Sequence, residues 1–167
     1  MPDFKKIYFD TNIFINIIER HFEAEIRDQL TLLLIKESRL SPFVTTCELT
    51  LAEALVRPLR ENDEPLITIF ENMLIDRSTI EVGPVDRDVL YYAARLRADY
   101  PSLKLPDAIH LSAAFGMNCS HFLTSEARLK ETYKLSNIRH GLVKGPLEIS
   151  IIQPTADIVS TLIETAF

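Results

Sequence analysis

The sequence predicts an α/β fold, a three-layer α/β/α sandwich on a mostly parallel sheet of about five strands. Three observations predict it. Short apolar or β-branched runs alternate along the chain with amphipathic segments at helical spacing, the signature of strand–helix–strand units. The first run, Ile7-Tyr8-Phe9, stops abruptly at Asp10-Thr11-Asn12, three residues that each cap a helix start well. Finally, 167 residues with 47% hydrophobic and 25% charged side chains describe an ordinary globular chain with a full core. We read residues 1–167 as a single domain, with 153–167 a carboxyl-terminal helical extension.

After the first strand, Phe14, Ile17, Ile18 and Phe22 keep helical spacing, as do Ile26, Leu30, Leu33 and Leu34. This predicts two helices with a bend near residues 21–23. Ser41-Pro42 breaks the pattern, and Phe43-Val44-Thr45-Thr46-Cys47 reads as strand two. Thr50-Leu51-Ala52-Glu53 has the form of a capping box opening the next helix, which Pro58 ends or kinks. Leu66, Ile69, Phe70, Met73 and Leu74 make a clean amphipathic helix, and residues 78–82 a third strand. Asp86 caps a helix carrying Val89, Leu90, Ala93, Ala94 and Leu96. Leu105-Pro106-Asp107 opens a helix of small and apolar residues that Gly116 closes. Residues 121–124 read as strand four, with Ser125-Glu126 starting a short helix. Residues 147–152 then form a strand, and Ile158, Val159, Leu162 and Ile163 mark a last helix.

Several classes are excluded or disfavoured. No apolar run reaches the length of a membrane span, and the amino terminus has no secretory pattern. Cys47 and Cys119 are expected to be buried thiols of a cytoplasmic protein. His21, His110, His121 and His140 show no zinc spacing, and four glycines leave no Gly-rich phosphate loop. A net charge of −6 argues against broad coating of nucleic acid.

Four acids stand at expected helix starts: Asp10, Glu53, Asp107 and Glu126. Helices that follow parallel strands begin on the same edge of the sheet, which places Asp10, Glu53 and Glu126 together. Each acid alone has an ordinary capping or helix-dipole explanation. Together, crowded carboxylates repel one another, and a divalent cation relieves the repulsion. Oxygen donors with no His or Cys among them favour Mg²⁺ or Mn²⁺ over zinc. Such a site supports phosphodiester hydrolysis by metal-activated water.

Residues 9–12 (Phe-Asp-Thr-Asn), 50–55 (Thr-Leu-Ala-Glu-Ala-Leu), 105–114 (Leu-Pro-Asp-Ala-Ile-His-Leu-Ser-Ala-Ala) and 122–126 (Phe-Leu-Thr-Ser-Glu) resemble, in order and separation, the motifs of the PIN domain family. Within it they resemble ribonuclease toxins of the VapC kind. The resemblance spans residue 6 to about residue 152. It implies a PIN-like sandwich and Mg²⁺ or Mn²⁺ held by Asp10 and Asp107, with Glu53 completing the site. It also implies endonucleolytic cleavage of RNA, a homodimer, and a protein antitoxin whose tail fills the acidic cleft. Thr11, Asn12 and Ser125 match polar positions lining that site. The chain carries Glu126 where the family usually has Asp, and Ser125 where it usually has Asn or a similar residue.

From Ala127 to Gly145 the charge balance inverts: Arg128, Lys130, Lys134, Arg139 and Lys144 face one acid, Glu131. This strip is the expected path of the RNA backbone, with Tyr133 and His140 placed to stack on bases. Arg57, Arg60 and Lys104 are weaker candidates. A catalytically weak PIN-like module that binds RNA or protein is the competing reading, its last helix offering an apolar face to a partner. A phosphatase built on a phosphorylated aspartate is disfavoured, because Asp10-Thr11-Asn12 lacks the second aspartate two residues on.

Overall fold

Strand β1 (Ile7–Phe9) lies inside the sheet and all three of its side chains are buried. Ile7 and Phe9 enter one apolar layer and Tyr8 the other, the two-residue alternation of a strand covered on both faces. The computed structural model describes residues 4–75, 77–136 and 148–167. In chain order β1 is followed by α1 (Thr11–Ile18), α2 (Ala24–Ile35), β2 (Val44–Cys47), α3 (Leu49–Ala54), α4 (Val56–Glu61) and α5 (Glu64–Met73). Then come β3 (Ile80–Gly83), α6 (Arg87–Asp99), α7 (Leu105–Gly116), β4 (His121–Leu123), β5 (Thr132–Lys134), β6 (Glu148–Ile152) and α8 (Ala156–Ala166).

The sheet has six strands in the order β3-β2-β1-β4-β6-β5. Neighbours are parallel except β5 and β6. Ile7 of β1 pairs with Val44 on one side and His121 on the other. The layer with Ile7 and Phe9 is closed by Ile13, Phe14 and Ile17 of α1, Leu30, Leu33 and Leu34 of α2, and Val159 and Leu162 of α8. The layer with Tyr8 and Phe122 is closed by α6 and α7. The sandwich is thus the expected one, with helices on both faces.

Five expectations change. The sheet gains a sixth strand because β5, three residues inside the basic run, has too little apolar alternation to show in the sequence. The capping box does not form. Helix α3 starts at Leu49 behind Glu48 with no side-chain cap, and Thr50 turns inward to Thr46, 2.6 Å away. Glu53 therefore sits near the end of α3, not in its first turn. The break in the helical path falls at Leu55, while Pro58 occupies the first turn of α4, where a missing N–H leaves no bond unmade. Residues 125–130 form turns, so no helix follows β4. Finally, the apolar face offered to a partner by the last helix is already used: Val159, Leu162 and Ala166 of α8 are fully buried, and α8 packs on α2.

Candidate active site

Strands β1 and β4 are neighbours, but the chain leaves β1 toward β2 on one side and β4 toward β6 on the other. That switch of direction opens a crevice beyond the carboxyl ends of the strands, where open α/β sheets bind ligands. A cavity of about 300 Å³ lies there, and Asp10, Glu53, Asp107 and Glu126 all line it, with Lys104 and Arg128. Asp10 leaves β1, and its N–H donates to the carbonyl of Leu123 at the end of β4 (3.0 Å). Helix α7 runs back to the start of β4, so its first turn, with Asp107, comes to the same edge.

Asp10 caps α1 and is 6% exposed. Its Oδ1 accepts from the N–H of Thr11 (2.8 Å), and its Oδ2 from Asn12 Nδ2 (2.7 Å) and Thr124 Oγ1 (2.7 Å). Burial pushes its carboxyl above the ordinary value, against the opposing pull of His110, Thr124 and Thr11. Asn12 Oδ1 accepts from the N–H of Ser125 (2.9 Å), which ties the α1 start to the turn after β4. Thr124, unnoticed in the sequence, anchors that turn by also accepting the N–H of Glu126 (3.0 Å).

The expectation of a site without histidine or cysteine is wrong. His110 is buried beside Asp107 on α7, with Nε2 2.7 Å from Glu53 Oε2 and 3.9 Å from Asp10 Oδ1. Its Nδ1 meets the Tyr8 hydroxyl at 2.7 Å, and Cys47 Sγ lies 3.7 Å away. Burial alone would lower the imidazolium, but Cys47, Glu53 and Asp10 outweigh it and push the ring up to about 10. Burial raises the Glu53 carboxyl, yet hydrogen bonds from His110 and Thr11 bring it below its ordinary value. Thr11 Oγ1 donates to Glu53 Oε2 at 2.5 Å. The ion pair is therefore formed at neutral pH. The legible signal was spacing: three residues on from Asp107, in a helix whose other neighbours are buried, a histidine faces the same way as the aspartate.

Asp107 meets a different cation. Arg128 Nη1 is 2.7 Å from Asp107 Oδ2, and Arg128 Nε is 3.2 Å from Glu126 Oε2. Asp107 Oδ2 is buried, and Arg128 Nη1 comes to hydrogen-bond distance of it without aiming an N–H squarely at it, yet the carboxylate still raises the guanidinium above its ordinary value.

Three cations of the basic strip are described, and each already faces an acid or a ring. Arg128 faces the acids, and Lys134 pairs with Glu148 at 3.0 Å. Lys130 lies over the Tyr100 ring, 5.6 Å from its centre. Tyr133 is 3% exposed, packed edge-on against Tyr100, and offers no face to a base. Arg139, His140 and Lys144 lie outside the described residues. Arg57 pairs with Glu19 at 2.7 Å. Lys104 lines the cavity.

Among the described residues, no three His, Cys, Asp or Glu side chains are gathered closely enough to hold an ion as they stand. Glu53 Oε2 is committed to His110 and Thr11. The donors still suit a hard cation. Asp10 and Asp107 line one cavity, and Asp107 Oδ2 is a buried oxygen without an aligned donor. Mg²⁺ is commonly held by one or two carboxylates and keeps several waters.

A family profile for the PIN domain matches residues 7–135. The chain belongs to the PIN domain family. Among solved structures it is similar to a VapBC complex bound to DNA from Salmonella typhimurium, at 17% identity and TM-score 0.59, over 90% of this chain and 98% of that one. It is also similar to a toxin–antitoxin complex from Klebsiella pneumoniae, at 22% identity and TM-score 0.54, over 74% of this chain and 88% of that one. VapBC2 from Rickettsia felis, bound to a promoter DNA fragment, matches at 16% identity and TM-score 0.52, over 73% and 88%. At these identities the likeness is one of fold. No curated protein sequence matches the chain. Among the described residues of this PIN domain, no helix is long and apolar enough to cross a membrane.

Proposed function

We propose that this PIN domain is a divalent-metal-dependent endoribonuclease, the toxin of a toxin–antitoxin pair. The observation that carries this reading is the convergence of Asp10, Glu53, Asp107 and Glu126 on one open cavity at the switch point of the sheet. Asp10 and Asp107 would hold Mg²⁺ or Mn²⁺, with Glu53 completing the site. When bound, the ion lowers the pKa of its water and polarises the phosphodiester. Thr11, Asn12 and Thr124 fix the Asp10 carboxylate in one orientation. His110 holds Glu53 ionised and in place. Glu126 shapes the rim on the β4 side, the Ser125 N–H holds Asn12, and Lys104 and Arg128 supply positive charge where RNA phosphates approach. The solved structures similar in fold are toxin–antitoxin complexes, which supports an antitoxin partner; the cytoplasmic setting is part of the same proposal.

Incubating a defined RNA mixture with the protein tests this directly. Cleavage is expected with Mn²⁺, none with EDTA, and none from Asp107→Asn. Equal cleavage by wild type and Asp107→Asn overturns the reading. A catalytically weak binding module is the second reading. It is favoured by the absence of three gathered ligands among the described residues. A protein that binds RNA but shows no Mn²⁺ site sensitive to Asp10→Asn belongs to that class.

A further inference from the structure

Resting on the metal-dependent reading above, we propose that Arg128 is a resident counter-ion of the metal site. Its guanidinium holds Asp107 while no divalent ion is bound, and it leaves Asp107 for an ion to enter. Arg128 Nη1 lies 2.7 Å from Asp107 Oδ2, yet that buried oxygen receives no aligned hydrogen bond. The contact is close but off-angle, so it is weaker than a squarely aligned or bidentate arginine–carboxylate bond. Arg128 Nε also reaches Glu126 Oε2 at 3.2 Å, so one guanidinium spans two acids of the cavity wall.

The two partners differ in freedom to move. The Asp107 side chain is 12% exposed and rooted in the first turn of a twelve-residue helix. The Arg128 side chain is 36% exposed and rooted in the turn after β4. The arginine can swing out, while the aspartate is held. A divalent ion on Asp107 Oδ2 and a guanidinium 2.7 Å from the same atom repel one another. Binding of either therefore weakens binding of the other by the same factor. Once displaced, Arg128 remains tethered beside Lys104 at the cavity wall, available to a phosphate oxygen. Loading the ion and presenting the arginine to substrate become a single exchange.

The test is calorimetric titration of Mn²⁺ into wild type, Asp10→Asn, Arg128→Gln and Arg128→Lys. Thermal unfolding of each is followed with and without Mn²⁺. The proposal expects Arg128→Gln to bind Mn²⁺ roughly tenfold more tightly than wild type, the size of an ordinary coupling between two sites. Mn²⁺ is expected to raise the melting temperature of Arg128→Gln more than that of wild type. Arg128→Lys keeps the charge without the planar fork and is expected to fall between the two. If Arg128→Gln binds no more tightly than wild type while Asp10→Asn abolishes the site, the counter-ion role is overturned and the metal site stands. If Asp10→Asn and wild type take up Mn²⁺ alike, the metal-dependent reading fails and the exchange fails with it. Should Arg128→Gln not fold, Arg128→Lys decides: affinity equal to or below wild type overturns the exchange.

Discussion

Two acid–cation pairs meet at the cavity, and they are built differently. On the inner side, His110 is buried and directs one ring nitrogen to Glu53 and the other to Tyr8, each at 2.7 Å. On the outer side, the half-exposed Arg128 faces Asp107 and Glu126 without an aligned bond to Asp107 Oδ2. A buried, hydrogen-bonded pair loses much when one partner is removed, because the other is stranded. A pair whose cation stands partly in water loses less, because water can take the place the cation leaves. The inner pair is therefore a fixture that positions Glu53, and the outer pair is exchangeable.

The largest effect is expected at the outer acid itself. Asp107→Asn or Asp10→Asn would remove a proposed anchor of the ion, and RNA cleavage is expected to fall about a thousandfold, or about 4 kcal/mol. Far-UV circular dichroism should stay unchanged. Stability then sets the two pairs apart. His110→Gln is expected to cost about 3 kcal/mol in urea unfolding, and Arg128→Gln about 1 kcal/mol or less. Equal costs would erase the distinction between fixture and exchangeable partner.

The inner pair also has a pH signature. His110 is raised to about 10 from an ordinary 6.5, so between those values the unfolded chain has released a proton that the folded chain keeps. Its stabilisation is complete below pH 6.5 and fades as pH rises toward 10. Glu53 is lowered from its model-compound value of 4.5, so its share is present above that pH and fades below it. Urea midpoints across this range are expected to show the alkaline loss in wild type, and a smaller one in His110→Gln. The smallest effect lies away from the site. Burial pushes the Cys119 thiol up to about 12, so iodoacetamide at pH 9 is expected to leave it unlabelled until the protein is unfolded.

Much of the fold was legible because its signals are local. Ile7-Tyr8-Phe9 followed by Asp10 marks strand and cap within four residues, and Leu105-Pro106-Asp107 marks a helix start. Glu53 was misplaced because a capping box is also local, and here tertiary bonds to Thr46 and Thr11 took Thr50 and Glu53 out of it. The role of His110 depends on residues 57 and 102 positions away, Glu53 and Tyr8, which no local pattern reveals. That Arg128 also faces two acids was not legible, because sequence shows charge but not what the charge faces.

The central claim is that Asp10 and Asp107 share one cation. Isothermal titration with Mn²⁺ of wild type, Asp10→Asn and Asp107→Asn tests it most directly. One site is expected in the wild type, and either substitution is expected to remove it. A site that survives both substitutions, or a wild type that takes up no Mn²⁺, would contradict it.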